Sequence, residues 1–243
     1  MRPSKFHKCE DFQTGQMLLV DKPIGWTSFD VVNKVRFAIK HKLKVRKIKV
    51  GHSGTLDPMA TGLLIICTGK WTKALHELQG LDKVYTGEIT VGATTATYDG
   101  EAVPENQKPY THLTQEMILS QTDEFQGPLN QIPPIFSAIK KDGVAAYQLA
   151  RRGKEIELEP RPVVIHSFQI DRIDLPKISF IVRCSKGFYV RSLAHDFGSA
   201  LGTGGYLSAL RRTAIGAYRV EDAWNLEDLI QSIDALDAPV EAS

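Results

Sequence analysis

The chain has 243 residues, 42% hydrophobic and 24% charged, enough to bury one sizeable core or two small ones, in the balance of a soluble globular protein. The longest apolar run, "GLLIICTG", is far short of a membrane span, and the N-terminal "MRPSKFHKCEDFQTG" lacks the apolar centre of a secretory signal. A formal net charge of +2 conceals a strong asymmetry: residues 34–49 hold eight basic side chains and no acid, whereas residues 221–243 hold seven acids and no Lys or Arg. Cys9, Cys67 and Cys184 are widely spaced and form no CxxC, which predicts reduced thiols in a cytoplasmic protein and spells no zinc site.

In chain order, "MLLVDKPIGWTS" predicts a short strand and a turn at residues 22–25, with Thr27 or Ser28 capping the next helix. That helix carries an apolar stripe of Val31, Val35, Ala38 and Ile39, with basic residues opposite. "GLLIICTGKWTKAL" fits a buried strand or a helix start, and periodicity alone does not decide. "KVYTGEITVGATTATYDGEAV" reads as strand up to the turn signal Asp99-Gly100. "THLTQEMILSQTDEFQG" predicts a helix with Leu113, Met117, Ile118 and Phe125 inward, closed by Gly127.

Residues 128–162 then read as a long surface excursion with one short helix, and such excursions are usually functional or disordered. Two strands, "VVIHSFQIDRIDL" and "ISFIVRCS", flank Pro176. "YVRSLAHDFGSALG" repeats Val190, Leu193, Ala194, Phe197 and Leu201 at helical spacing. Strands and helices intermix without strict βαβ alternation. The fold class is therefore α/β of the α+β type, a largely antiparallel mixed sheet flanked by helices and loops.

One stretch invites chemistry. In "VGHSGTLDPMATGLL", Asp57 sits between a glycine-rich turn and Pro58, against an apolar run. A carboxylate held this way is a nucleophile or base, or alternatively an Asx-turn former before proline. Arg191 stands at a helix start, against the helix dipole, which calls for an anionic partner such as Asp57, or else marks a surface Arg with no partner. Tyr85 and Tyr189 can stack on an extruded base or pack in the core, and His52 is a turn residue or a ring that wedges into a base stack. The basic segment 34–49 beside this motif points to a polyanion such as RNA. No Walker A or GxGxxG loop occurs, so no nucleotide cofactor is called for.

Six blocks carry a resemblance: "GHSGTLDPMATGLL", "LLVDKPIGWTS", "KVYTGEITVGATTATYDGE", "IPPIFSAIKKDGVAAYQLARRG", "CSKGFYVRSLAHDFG" and "GYLSALRRTAIGAY". Together they resemble the bacterial TruB family of pseudouridine synthases. The resemblance implies the pseudouridine synthase fold with an inserted thumb loop at about residues 132–161. It divides the chain into an N-terminal extension (1–17), a catalytic domain (18–233) and an acidic tail (234–243) without a C-terminal PUA domain. It also implies isomerisation of uridine-55 in the T-stem-loop of tRNA, by a cytoplasmic monomer that flips its target base and needs no cofactor or metal. By position, Asp57 is the catalytic aspartate, Tyr85 stacks on the target base, Tyr189 lines its pocket, and Arg191 pairs with the aspartate. His52 fills the gap left by the flipped nucleotide, and Leu210 contacts the substrate. The alternative is an RNA-binding, tRNA-folding chaperone that uses the same residues without catalysis.

Overall fold

The computed structural model describes residues 6, 11–137, 139–141, 143–150, 152–153 and 156–237. Helix α1 (Asp11–Thr14) leads to strand β1 (Met17–Lys22), α2 (Ser28–Leu43), β2 (Val50–His52), β3 (Ala60–Thr68), a 3₁₀ turn and α3 (Leu75–Gly80). Next come β4 (Lys83–Val91), α4 (Gln115–Asp123), β5 (Gly127–Gln131), β6 (Lys140–Lys141), β7 (Val144–Ala145) and α5 (Ala146–Ala150). The order closes with β8 (Arg161–Asp174), β9 (Lys177–Cys184), α6 (Val190–Ala200), β10 (Gly205–Ile215), β11 (Tyr218–Arg219), β12 (Trp224–Asn225) and α7 (Leu226–Asp234). The chain divides into two compact units, residues 1–83 with 211–243, and residues 84–210. Among the described residues no helix is long and apolar enough to cross a membrane.

In the first unit β1 pairs antiparallel with β3 and parallel with β12, and β2 pairs antiparallel with β3. Both faces of β1 and β3 are covered. Leu18, Val20, Leu64 and Ile66 pack with Val31, Val35 and Ile39 of α2 and with Leu229 and Ile233 of α7. Leu19, Leu63, Ile65 and Cys67 pack on the other side with Ile215 and Val220. Burial on both faces explains why "GLLIICTG" lacks alternation and could not be assigned from its pattern; it is strand, followed by the 3₁₀ turn. Helix α2 begins as its cap residues require: Thr27 and Asp30 form a capping box, with the Thr27 hydroxyl accepting from Asp30 N at 3.0 Å and Asp30 Oδ2 accepting from Thr27 N at 3.0 Å.

In the second unit β8 and β9 form a long hairpin around Pro176, and β5 lies antiparallel on β8. Phe125, Phe168, Phe180 and Phe197 meet edge to face in its core. The α6 stripe of Val190, Leu193, Ala194, Phe197 and Leu201 is buried as its spacing predicts. Three expectations change. Met117 is exposed, because α4 buries Ile118 and Thr122 instead. Gly127, with φ +94°, opens β5 rather than closing a helix. The strand expected through residue 98 ends at Val91, where Gly92 takes φ +97°.

Within residues 128–162 the described parts are the end of β5, the hairpin β6–β7, the short α5 and the first residues of β8. Ala138, Asp142, Arg151, Lys154 and Glu155 of the expected thumb loop lie outside the described residues, as do most of the expected N-terminal extension and residues 238–243 of the expected tail.

Candidate active site

Asp57 is half-buried on the loop between β2 and β3, and the loop is held from several directions. Ser28, at the start of α2, grips Leu56 twice: its hydroxyl accepts from Leu56 N at 2.8 Å and donates to Leu56 O at 3.1 Å. Gly25 N donates to Pro58 O at 2.9 Å, and Ala60 N donates to Asp57 O at 3.0 Å, which closes the Asp57-Pro58 turn. From β10, the guanidinium of Arg212 donates to Gly54 O at 3.1 Å, Thr55 O at 3.4 Å and Leu63 O at 2.8 Å. Arg212 is 1% exposed, so these bonds are dry. Two glycines permit this packing. Gly54 adopts φ +141°, and a Cβ on Gly62 would stand 2.3 Å from Arg212 O.

Lys22 completes the loop's support. It is fully buried at the end of β1, and its ammonium donates to Pro23 O at 3.0 Å, Trp26 O at 2.5 Å and Pro58 O at 3.4 Å. Burial pushes its pKa down to about 8; the Asp57 carboxylate opposes the fall, Arg212 reinforces it, and Asp30 opposes it. A cation is thus sealed beneath the turn that carries Asp57. Nearby, Arg211 forms a forked ion pair with Asp21, at 3.0 and 2.7 Å.

His52 lies on β2, and its Nδ1 accepts from Gly54 N at 3.2 Å. Burial lowers its pKa and Arg212 reinforces the fall, so the ring is neutral at pH 7, and with Nδ1 accepting its proton is on Nε2.

In the second unit Tyr85 is buried on β4, and Leu210 is half-buried on β10. Tyr189 is the residue before α6, and its backbone is clamped by the buried Gln131 of β5. Gln131 Oε1 accepts from Tyr189 N at 2.8 Å, and Nε2 donates to Tyr189 O at 3.0 Å. Arg191 is buried at the start of α6. One anion of the kind this position calls for is Asp99, 3.6 Å away, with both side chains 7% exposed. Arg191 also donates to Thr97 O at 3.2 Å and Phe136 O at 2.9 Å. Asp99 Oδ1 in turn accepts from the Thr97 hydroxyl at 2.5 Å and from Glu101 N at 3.1 Å, which fixes the carboxylate.

Each unit therefore presents part of the expected residue set on a rigid support: His52 and Asp57 in one, Tyr85, Tyr189, Arg191 and Leu210 in the other. Sequence reasoning missed the supports. Lys22 carried a legible signal, a lone lysine ending an apolar strand, and so did Arg212, a charged residue at an inward position of "ALRRTAI". Asp99 was read only as a turn residue.

A solved Cbf5-Nop10-Gar1 complex contains a chain of similar fold, with TM-score 0.69 and 28% identity over 95% of this chain, which spans 58% of that one. An H/ACA RNP bound to a substrate RNA containing 2′-deoxyuridine aligns with TM-score 0.65 and 26% identity, covering 95% of this chain and 59% of that chain. Residues 40–190 match the family model described as TruB family pseudouridylate synthase (N terminal domain), which sets the class as pseudouridylate synthase. Residues 191–241 match a second model, the tRNA pseudouridylate synthase B C-terminal domain. The chain belongs to the TruB family. A relative from Flavobacterium johnsoniae named tRNA pseudouridine synthase B is 52% identical, covering 88% of this chain and 94% of the relative. One of the same name from Phocaeicola vulgatus is 46% identical, covering 92% of this chain and 95% of the relative.

Proposed function

We propose that the chain isomerises uridine-55 in the T-stem-loop of tRNA to pseudouridine, with Asp57 as its catalytic residue. The observation that carries this reading is the Asp57 turn, anchored by Ser28, Gly25, Lys22 and Arg212, in a chain of the TruB family. The reaction breaks the N1–C1′ bond, rotates the uracil and joins C5 to C1′; C5 gives up its hydrogen and N1 gains one. Atoms and electrons balance within the nucleotide, so the step calls for no oxidant, reductant or group donor.

A base cannot turn inside a helical stack, so the uridine is flipped out and held while detached. Asp57 starts the exchange, and attack on C1′, addition at C6 and proton abstraction towards a glycal all begin at its carboxylate. In this reading Tyr85 stacks on the uracil, Tyr189 lines its pocket, Leu210 touches the nucleotide, and Arg191 orients the Asp57 carboxylate. His52, a neutral ring, occupies the space left in the RNA stack without adding charge. Residues 132–161 close on the RNA, the basic segment 34–49 holds phosphates, and the enzyme works as a cytoplasmic monomer.

The test is site mapping. An unmodified tRNA transcript is incubated with the protein, treated with a carbodiimide that marks pseudouridine, and read by primer extension. A single new stop reporting position 55 is expected. A stop elsewhere in the tRNA would overturn the assigned site, and none would overturn the activity on tRNA.

A further inference from the structure

Beside Asp57 the first unit exposes a group of large apolar side chains that no step above uses. Two anchor points, Gly25 N to Pro58 O at 2.9 Å and Leu56 N to Ser28 Oγ at 2.8 Å, bring residues 24–29 alongside residues 56–59. On these two short segments lie Ile24, Trp26, Phe29 and Met59, which are 61%, 37%, 62% and 41% exposed. They are four of the eleven large apolar side chains exposed among the described residues. Their concentration is not a by-product of loose structure. The buried Lys22 ties Pro23 O, Trp26 O and Pro58 O together beneath them, and the capping box fixes the start of α2. Exposed apolar groups gathered on tied backbone segments mark a contact surface.

We infer that Ile24, Trp26, Phe29 and Met59 form a shelf on which unpaired bases of the RNA, next to the flipped uridine, are stacked or packed. The inference rests on the proposed activity, and charge identifies the occupant. Helix α2, which starts at the shelf, carries the exposed Lys34 and the half-buried Lys40 of the basic segment and ends at the exposed Lys44, and Lys40 lies 5.8 Å from the Phe37 ring centroid. An apolar shelf that leads into a run of cations fits a nucleic acid, whose bases seek flat apolar partners and whose phosphates seek lysines. Of the acids nearby, Asp30 is engaged in the capping box, Asp21 is paired with Arg211 and Asp57 is the reacting group, while Glu227 lines a pocket together with Trp26 and Lys34. Flipping one nucleotide leaves its neighbours without a stacking face, and the shelf supplies one.

The experiment measures affinity of the protein for an unmodified T-stem-loop hairpin and for a fully paired RNA duplex of equal length, by filter binding over a range of salt. Phe29→Ser and Met59→Ser, both at exposed positions, should each weaken hairpin binding at least about fivefold and leave duplex binding and the salt slope unchanged. Phe29→Trp should hold or tighten binding, which separates stacking from mere apolarity, and a thermal melt confirms that each variant folds. Unchanged hairpin affinity in Phe29→Ser, with wild-type turnover of tRNA intact, overturns the shelf alone. So does a loss of the same size on the duplex. Absence of wild-type turnover overturns the activity on which the shelf rests, and the shelf with it.

Discussion

Replacing Arg212 by Met removes the fork that ties the Asp57 loop to β10. Two short bonds, to Leu63 O at 2.8 Å and Gly54 O at 3.1 Å, and a longer one to Thr55 O at 3.4 Å are lost. Each short bond from a charged donor contributes about 1.5–3 kcal/mol, and three carbonyls are left without this donor. Against this, a guanidinium no longer has to be desolvated, which returns part of the loss. The net destabilisation is about 2–4 kcal/mol, or a fall in Tm of roughly 5–15 °C for a chain of this size. With its loop released, Asp57 loses its position. A displacement of about 1 Å costs on the order of 100-fold in kcat, while KM changes much less because the RNA contacts remain. Calorimetry and single-turnover kinetics on the tRNA transcript measure the two effects. Arg212→Lys should fall between, since an ammonium reaches one carbonyl well but not the fork. An Arg212→Met protein with unchanged Tm and kcat would refute the clamp.

The other supports give their own readouts. For Lys22, whose folded pKa of about 8 lies below its ordinary value, the unfolded chain binds the proton more tightly; stability therefore rises with pH from about 8 to 10.5. Lys22→Met should lose that rise, a difference of roughly 1–3 kcal/mol seen by comparing Tm at pH 8 and pH 10, and parallel curves would contradict it. Asp99→Asn removes one anion from the buried Arg191 and should cost about 2–3 kcal/mol in urea titration, together with a fall in kcat; an unchanged midpoint would remove Asp99 from the account. Gln131→Ala removes both clamps on the Tyr189 backbone and should cost about 1–3 kcal/mol, with KM raised more than kcat is lowered; intact stability and kinetics would show the clamp to be dispensable.

What was legible in the sequence was whatever is written locally. The cap at Thr27 or Ser28, the α2 stripe and the α6 stripe each lie within a few residues of chain, and the structure carries the two stripes and settles the cap on Thr27. Where one local signal competed with another, the reading failed. Gly127 resembles a helix stop but opens a strand, and Met117 keeps helical spacing on a helix whose buried side passes through Ile118 and Thr122. The Asp57 loop was visible as a motif, but its supports were not. Lys22 reaches Pro58 across 36 residues, and Arg212 reaches Gly54 across 158. No window along the chain contains both ends of such a bond. Arg191 shows the middle case: its place at a helix start announced an anion, and only the fold supplied Asp99 as one.

The most direct test of the central claim is the release of tritium from C5 of uridine in an unmodified tRNA transcript, with wild type and Asp57→Asn side by side and RNA binding measured on both. Forming the C5–C1′ bond must expel the C5 hydrogen, so release reports the isomerisation itself. The account predicts stoichiometric release by the wild-type chain and none by Asp57→Asn, with tRNA affinity retained in the variant. Substantial release by Asp57→Asn would contradict the role given to that residue. Tight binding by the wild type without release would make the chain an RNA-binding chaperone rather than an isomerase.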